Sequence, residues 1–195
     1  MSNDIEIVAV GPLQTNCYLV THDGQTIIID PGADSKKIID RLTELKLTPV
    51  AIVNTHGHWD HVMANNELKQ HYNISMYTPL GDKELLSLEK NHFRIGELLV
   101  DYWYTDKLEG LNWPVKVIPT PGHSQGSTCF LLGKDLFSGD TMFAGGYPGR
   151  TDFWGGDPAA MQRSLAELLK LPDDITVWPG HEESSTIGAE RGFYG

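Results

Sequence analysis

Between positions 56 and 61 the chain places His56, His58, Asp60 and His61, in the stretch "THGHWDH" that directly follows the apolar run "VAIV". Imidazoles and carboxylates at this density are unfavourable unless a metal or a hydrogen-bond network satisfies them. At i and i+2, His56 and His58 can face one ion if the loop is extended, while Asp60 and His61 sit one step further round the turn, toward a second. Three more donors stand at strand-to-loop junctions: His123 after "TPG", Asp140 after "SG" and His181 after "PG". Seven N and O donors exceed the needs of one tetrahedral ion and suit two adjacent ions sharing a carboxylate. The other histidines, His22, His71 and His92, read as structural or surface residues.

A water held between two divalent cations loses its proton near neutral pH, since a single zinc already lowers the water pKa to about 7. One ion can then polarise a carbonyl while the other stabilises the developing oxyanion and the departing group. A thioester suits such a site because a thiolate leaves without prior protonation. Ser124, Ser127 and Thr128 lie beside His123, but no nucleophile-elbow motif accompanies them.

Donors of this kind need rigid elements behind them. "IEIVAVG", "TNCYLVTH" and "QTIIID" read as a β-meander, with "HDGQ" as a hairpin turn. The period then changes: Ile38, Leu42 and Leu45 share a helical face, with Asp34 or Ser35 placed to cap it. "VAIVNT" is a buried strand, "HVMANNELKQHY" a helix, "ISMYT" a strand and "GDKELLSLEK" a helix. "LLVDYWYT", "PVKVIPT", "STCFLLG" and "DLFSGD" continue as strands, the last two a hairpin through "GKD". Asp157 and Pro158 open a helix with Met161, Leu165 and Leu168 on its apolar stripe, and "DITVWPGH" supplies a last strand. The two halves share a plan of strands followed by helices, and two sheets packed face to face with helices outside satisfy it.

At 195 residues the chain supports one sizeable core. Its 26 acidic against 15 basic residues, a net charge of −11, oppose binding to nucleic acid and would be partly offset by bound cations. No apolar run approaches a membrane span, and the acidic start "MSNDIEIVAVG" differs from a signal peptide, so a cytoplasmic protein is expected. Cys17 and Cys129 lie in strand-like segments and are expected as reduced, buried thiols.

From about residue 5 to 190 the chain resembles the metallo-β-lactamase superfamily in its glyoxalase II-like (hydroxyacylglutathione hydrolase-like) branch. "THGHWDH" is similar to that family's first metal motif, and "TPGHSQGS", "SGDTMF" and "PGHEESSTIGAE" are similar to its later ones. The resemblance implies an α/β (α+β) fold, a four-layer αββα sandwich with two divalent metal ions at one edge. Zinc leads, while the imidazole and carboxylate donors also accept iron or manganese. It further implies that His56, His58 and His123 hold one ion, that Asp60, His61 and His181 hold the other, and that Asp140 bridges them. Asp60 and Asp140 then belong to the catalytic centre, and the substrate is S-D-lactoylglutathione or a related hydroxyacyl thioester. Asp30, in "IIIDPG", is similar to a residue that supports the site from behind; a simple strand-end turn is its other reading.

"FAGGYPGRTDFWGGD" resembles the "GRTD" loop of small bacterial glyoxalase II-like hydrolases and of persulfide dioxygenases. Tyr147 and Arg150 would accordingly meet a substrate carboxylate or thiol-bearing group, or Arg150 would pair with Asp152. Full-length glyoxalase II enzymes continue into a helical domain that binds glutathione; here 14 residues follow His181, and residues 1–195 are expected to form a single domain. Glu182 stands where the family has a small residue. Aromatic residues between 82 and 112 read as packing, and Trp59 either shields the ions or packs on its loop. Two other readings are a persulfide dioxygenase, with one iron on His56, His123 and Asp140, and a non-catalytic metal-binding module.

Overall fold

The computed structural model describes residues 3–93 and 96–194. It opens with β1 (Asp4–Val10), β2 (Thr15–His22) and β3 (Gln25–Ile29), an antiparallel meander as the alternation predicts. Asp23 and Gly24 both adopt positive φ, 48° and 75°, the conformation a two-residue hairpin of matching twist requires. α1 (Ser35–Glu44) returns the chain to β4 (Pro49–Val53), parallel to β3. α2 (Trp59–Val62) and α3 (Asn65–Tyr72) lead to β5 (Ser75–Pro79), and α4 (Lys83–His92) to β6 (Tyr102–Tyr104). These six strands form one sheet in sequential order.

The second sheet holds β7 (Lys116–Pro119), β8 (Thr128–Leu132), β9 (Asp135–Gly139), β12 (Thr176–Pro179) and β13 (Ser185–Thr186). Between β9 and β12 come the small hairpin of β10 (Met142–Phe143) with β11 (Tyr147–Pro148) and the helix α5 (Pro158–Leu168); α6 (Ile187–Tyr194) follows β13. β12 runs parallel to β9, and the other pairings of this sheet are antiparallel.

Period-two alternation sorts side chains into three apolar layers. Tyr18, Val20, Ile27, Ile29 and Val53 of the first sheet meet Phe130, Leu132 and Phe137 of the second in a shared core. Their neighbours Cys17, Leu19 and Ile28 face the other way, onto Ile38 and Leu42 of α1 and Leu68 of α3. On the far side Cys129, Leu136 and Val177 receive Met161, Leu165 and Leu168 of α5 and Ile187 of α6. Each fully buried aliphatic side chain contributes roughly 1.5–3 kcal/mol, and the outcome is the αββα sandwich. Cys17 and Cys129 are free and lie in different outer layers. Among the described residues no helix is long and apolar enough to cross a membrane.

Four local expectations change. Asp34 precedes α1 in the left-handed region, at φ 51°, and does not cap it; its carboxylate accepts from Gly11 N instead, and Leu45 lies just past the helix end. "HVMANNELKQHY" is two helices, because the His61 carbonyl is taken by the Asn54 side chain and Ala64 N donates to the Pro31 carbonyl. "LLVDYWYT" is a strand only over its last part, since the Asp101 carboxylate accepts from Met76 N where a strand carbonyl would. The β10–β11 hairpin, β13 and α6 are absent from the sequence reading.

Candidate metal centre

Every donor picked out in sequence lies at one edge of the sandwich. His56 to His61 follow β4, His123 lies in the turn from β7 to β8, Asp140 follows β9 and His181 follows β12. Both sheets therefore contribute. Hydrogen bonds brace the loops: within the first sheet Tyr104 donates its hydroxyl to the Asn54 carbonyl (2.6 Å), and across the core Tyr18 donates to that of Pro179 (2.5 Å), two residues before His181.

The donors fall into two groups, His56 with His58 and His123, and Asp60 with His61 and His181, each with ligand atoms within 4.8 Å of one another. Asp140 lies between them, with Oδ2 3.4 Å from His123 Nε2 and Oδ1 3.4 Å from His61 Nε2. Asp60 Oδ2 approaches His181 Nε2 at 3.2 Å and His61 Nε2 at 3.5 Å. A further trio of Asp30, His56 and His61 is equally compact. Its carboxylate is already engaged: Oδ1 accepts from Thr55 N (2.7 Å), and Oδ2 accepts from Thr55 Oγ1 (2.6 Å) and lies 3.0 Å from His61 Nδ1. Asp30 thus orients His61 from behind, where an outer carboxylate fixes tautomer and ring.

The same device recurs. His123 Nδ1 reaches the Arg150 carbonyl at 2.7 Å, His181 Nδ1 the Leu13 carbonyl at 3.1 Å, and His56 Nδ1 the Thr55 hydroxyl at 3.0 Å. With Nδ1–H donating to these oxygens, Nε2 of each ring carries the free lone pair. The Nε2 atoms of His56, His61 and His123 and Oδ1 of Asp140 are buried without a hydrogen-bond partner. Four converging, unpartnered donors are costly in a protein interior and are what a divalent cation satisfies. The residues present fit such ions.

Electrostatics divides the groups. Burial, reinforced by neighbouring imidazoles, drives the His56 pKa well below its ordinary value and takes His58 down to about 3. These rings are neutral near pH 7 and ready to accept a metal. Burial acts the same way on His61, but Asp140, Asp60 and Asp30 outweigh it and push that pKa up to about 10. His181 is raised too: burial is overcome by its hydrogen bond to Asp60 and by the charge of Asp140. At Asp60 burial opposes ionisation, and His61 and His181 overcome it, holding the carboxyl below its ordinary range.

Above these donors opens a cleft of about 550 Å³. Trp59 stacks on Phe93 (centroids 4.8 Å apart) along one wall; Phe153 lies 5.5 Å from the His58 ring on the other. Trp59 and Phe93 are cleft residues, whereas Tyr104 is core. His92, read as structural or surface, also lines the cleft, as does Glu89, which accepts from Trp59 N (3.3 Å) and whose carboxyl burial pushes up to about 7. Arg150 is at the rim, 4.3 Å over Phe153, and forks onto Asp152 at 2.9 and 2.7 Å. Tyr147 is 68% exposed and stands outside the residues that line the cleft. Glu182 is exposed, and its backbone takes φ 65°. A larger groove of about 650 Å³ along β1 and α1 has no comparable donor set; Asp40 pairs with Lys36, Glu6 and Glu44 pair with Arg41, and Asp34 accepts from Gly11 N.

One residue of this region escaped the sequence reading. Asp82 is fully buried beneath the cleft and accepts hydrogen bonds from the loops on either side. In sequence it is an acid ahead of a helix, which reads as a cap.

Fold and donors together define a class: an αββα sandwich carrying a histidine and carboxylate site for divalent metal at its edge. Residues 10–181 match the family profile of the Metallo-beta-lactamase superfamily, and the chain belongs to that superfamily of metal-dependent hydrolases. It is similar to the hydroxyacylglutathione hydrolase GloC of Haemophilus influenzae, with 38% identity over 204 aligned positions spanning 96% of this chain and 95% of that protein. Among solved structures it is similar to the BLEG-1 B3 metallo-beta-lactamase (TM-score 0.87, 31% identity, 97% of each chain). It is also similar to TTHA1623 in a di-iron-bound form (TM-score 0.85, 35% identity, 95% of this chain and 96% of that one).

Proposed function

We propose that this protein is a glyoxalase II-like thioesterase that hydrolyses S-D-lactoylglutathione or a related hydroxyacyl thioester. In this reading His56, His58 and His123 hold one divalent ion, Asp60, His61 and His181 hold a second, and Asp140 serves both. The observation that carries it is the near end-to-end similarity to a hydroxyacylglutathione hydrolase, combined with the seven converging donors. Zinc is the proposed metal, with iron and manganese compatible with the same donors.

Two bound cations supply the Lewis acidity that activates water near neutral pH and polarises the thioester carbonyl. The rest falls to the chain. Asp60 and Asp140 are the carboxylates of the catalytic centre, and their negative charge would offset part of that of the cations. Asp30 fixes the His61 ring, and the Arg150 carbonyl fixes His123, so the donors need not reorganise during the reaction. Trp59, Phe93 and Phe153 give the cleft apolar walls that limit water around the acyl group. The Arg150 guanidinium, shared with Asp152, stands at the rim to meet a carboxylate of the substrate.

The test is metal content per chain on freshly purified protein, together with thiol release from S-D-lactoylglutathione. About two ions per chain and turnover that disappears in Asp60→Ala support the proposal. One iron per chain, no thiol release and oxygen uptake with a persulfide would overturn it in favour of a dioxygenase. Greater kcat/KM on a chromogenic β-lactam than on any thioester would overturn it as well.

A further inference from the structure

We propose that Asp82 is a positioning residue for one ion site and not the other: it sets the geometry of His56, His58 and His123 through their loops. The inference rests on the two-ion reading above. Asp82 Oδ2 accepts from Gly57 N at 2.8 Å and from Ser124 Oγ at 2.8 Å, and Oδ1 accepts from Gly126 N at 2.7 Å. Gly57 lies between His56 and His58, and Ser124 directly follows His123. One buried carboxylate thereby joins the loop after β4 to the loop after β7, and between them these loops carry all three donors of a single group. Ser124 Oγ also lies 2.8 Å from Ser127 Oγ, so the second loop is braced internally.

Close contact leaves little freedom in this arrangement. A Cβ on Gly57 would stand 2.9 Å from Asp82 Cβ, and one on Gly126 would stand 2.6 Å from Asp82 Cγ. Asp82 precedes α4 but makes no side-chain capping bond to it, so the helix does not account for the carboxylate. The second group is held by other means. His61 leans on Asp30, and His181 on the Leu13 carbonyl. Asp30 holds His61 directly and reaches His56 only through the Thr55 hydroxyl, whereas Asp82 ties together only the backbone turns that carry His56, His58 and His123.

The experiment titrates metal-free protein with zinc against a chromophoric chelator, while the ring resonances of His56, His58 and His123 and those of His61 and His181 report which site fills. In Asp82→Asn an amide replaces one accepting oxygen, and zinc affinity at the site reported by His56, His58 and His123 falls roughly 10- to 100-fold. The other site stays within about threefold of wild type. Ser124→Ala removes a single donor and moves the same site in the same direction by less, which keeps the test decisive should Asp82→Asn fail to fold. Equal weakening at both sites, or at neither, overturns the assignment. Wild-type protein that takes up fewer than two zinc ions overturns the two-ion reading itself, before any substitution is made.

Discussion

Glu89 shows how a single side chain in the cleft couples to pH. Burial pushes its carboxyl up to about 7, above the ordinary glutamate value, so the folded chain binds this proton more tightly than the unfolded chain does. The stability it contributes is complete below the unfolded pKa of about 4.3 and is lost as pH rises through 7. Glu89→Gln should therefore raise the Tm of chelator-treated protein at pH 8 and leave it nearly unchanged at pH 4; an equal shift at both values would show that ionisation of Glu89 is not the cause. At this scale the converging histidines and carboxylates were legible because four of the seven lie in the single stretch "THGHWDH", and the other three each follow a glycine at a strand end. Asp82 was not, because its hydrogen-bond partners lie 25 to 44 residues away and its meaning arises only when two loops meet. The exposure of Tyr147 was not legible either, because it follows from the two-residue strand β11, which leaves no sequence signal.

Elements with strong local signals formed where expected. Asp157 caps α5, accepting from Ala159 N and Ala160 N with Pro158 in the first turn, and Asp157→Ala should cost about 1 kcal/mol, read as a lower denaturation midpoint with an unchanged m-value. Asp34 had the same residue type and the same position ahead of a helix, but its left-handed backbone aims the carboxylate at Gly11 instead. The two-residue strands β10, β11 and β13 are too short for alternation to register. Glu182 is the other informative backbone position. A non-glycine residue at φ 65° costs on the order of 1 kcal/mol, and with its side chain in solvent Glu182→Gly should recover part of that as increased stability without loss of turnover. A drop in stability would mean that the Glu182 side chain contributes a contact of its own.

The sandwich as a whole was legible because its three apolar layers follow from period-two strands and period-3.6 helices, rules that each segment obeys locally. Which sheet supplies which donor was not legible, since that depends on pairing such as the parallel β12–β9 register. His56 to His61 extend from the first sheet and His123, Asp140 and His181 from the second, so ions bound among them would cross-link the two halves of the core. Any ligand that binds only the folded state adds RT ln(1 + [L]/Kd) to its stability. Chelation should lower Tm markedly, and the loss should shrink in variants that have already lost a donor such as His181→Ala; an unchanged Tm on chelation would show that the sheets are held without the ions.

The order of donors along the chain has a consequence for synthesis. Three histidines and an aspartate emerge by residue 61, but the last donor emerges only at residue 181, on a loop placed by the pairing of β12 beside β9. A nascent chain can offer a metal ion a few loose ligands early, and the complete pair of sites only when its second sheet has closed on the first. Full metal loading would thus be a record of finished folding: ions held in both groups would require the first sheet, whose donors end at His61, to have packed against the second, which carries His181.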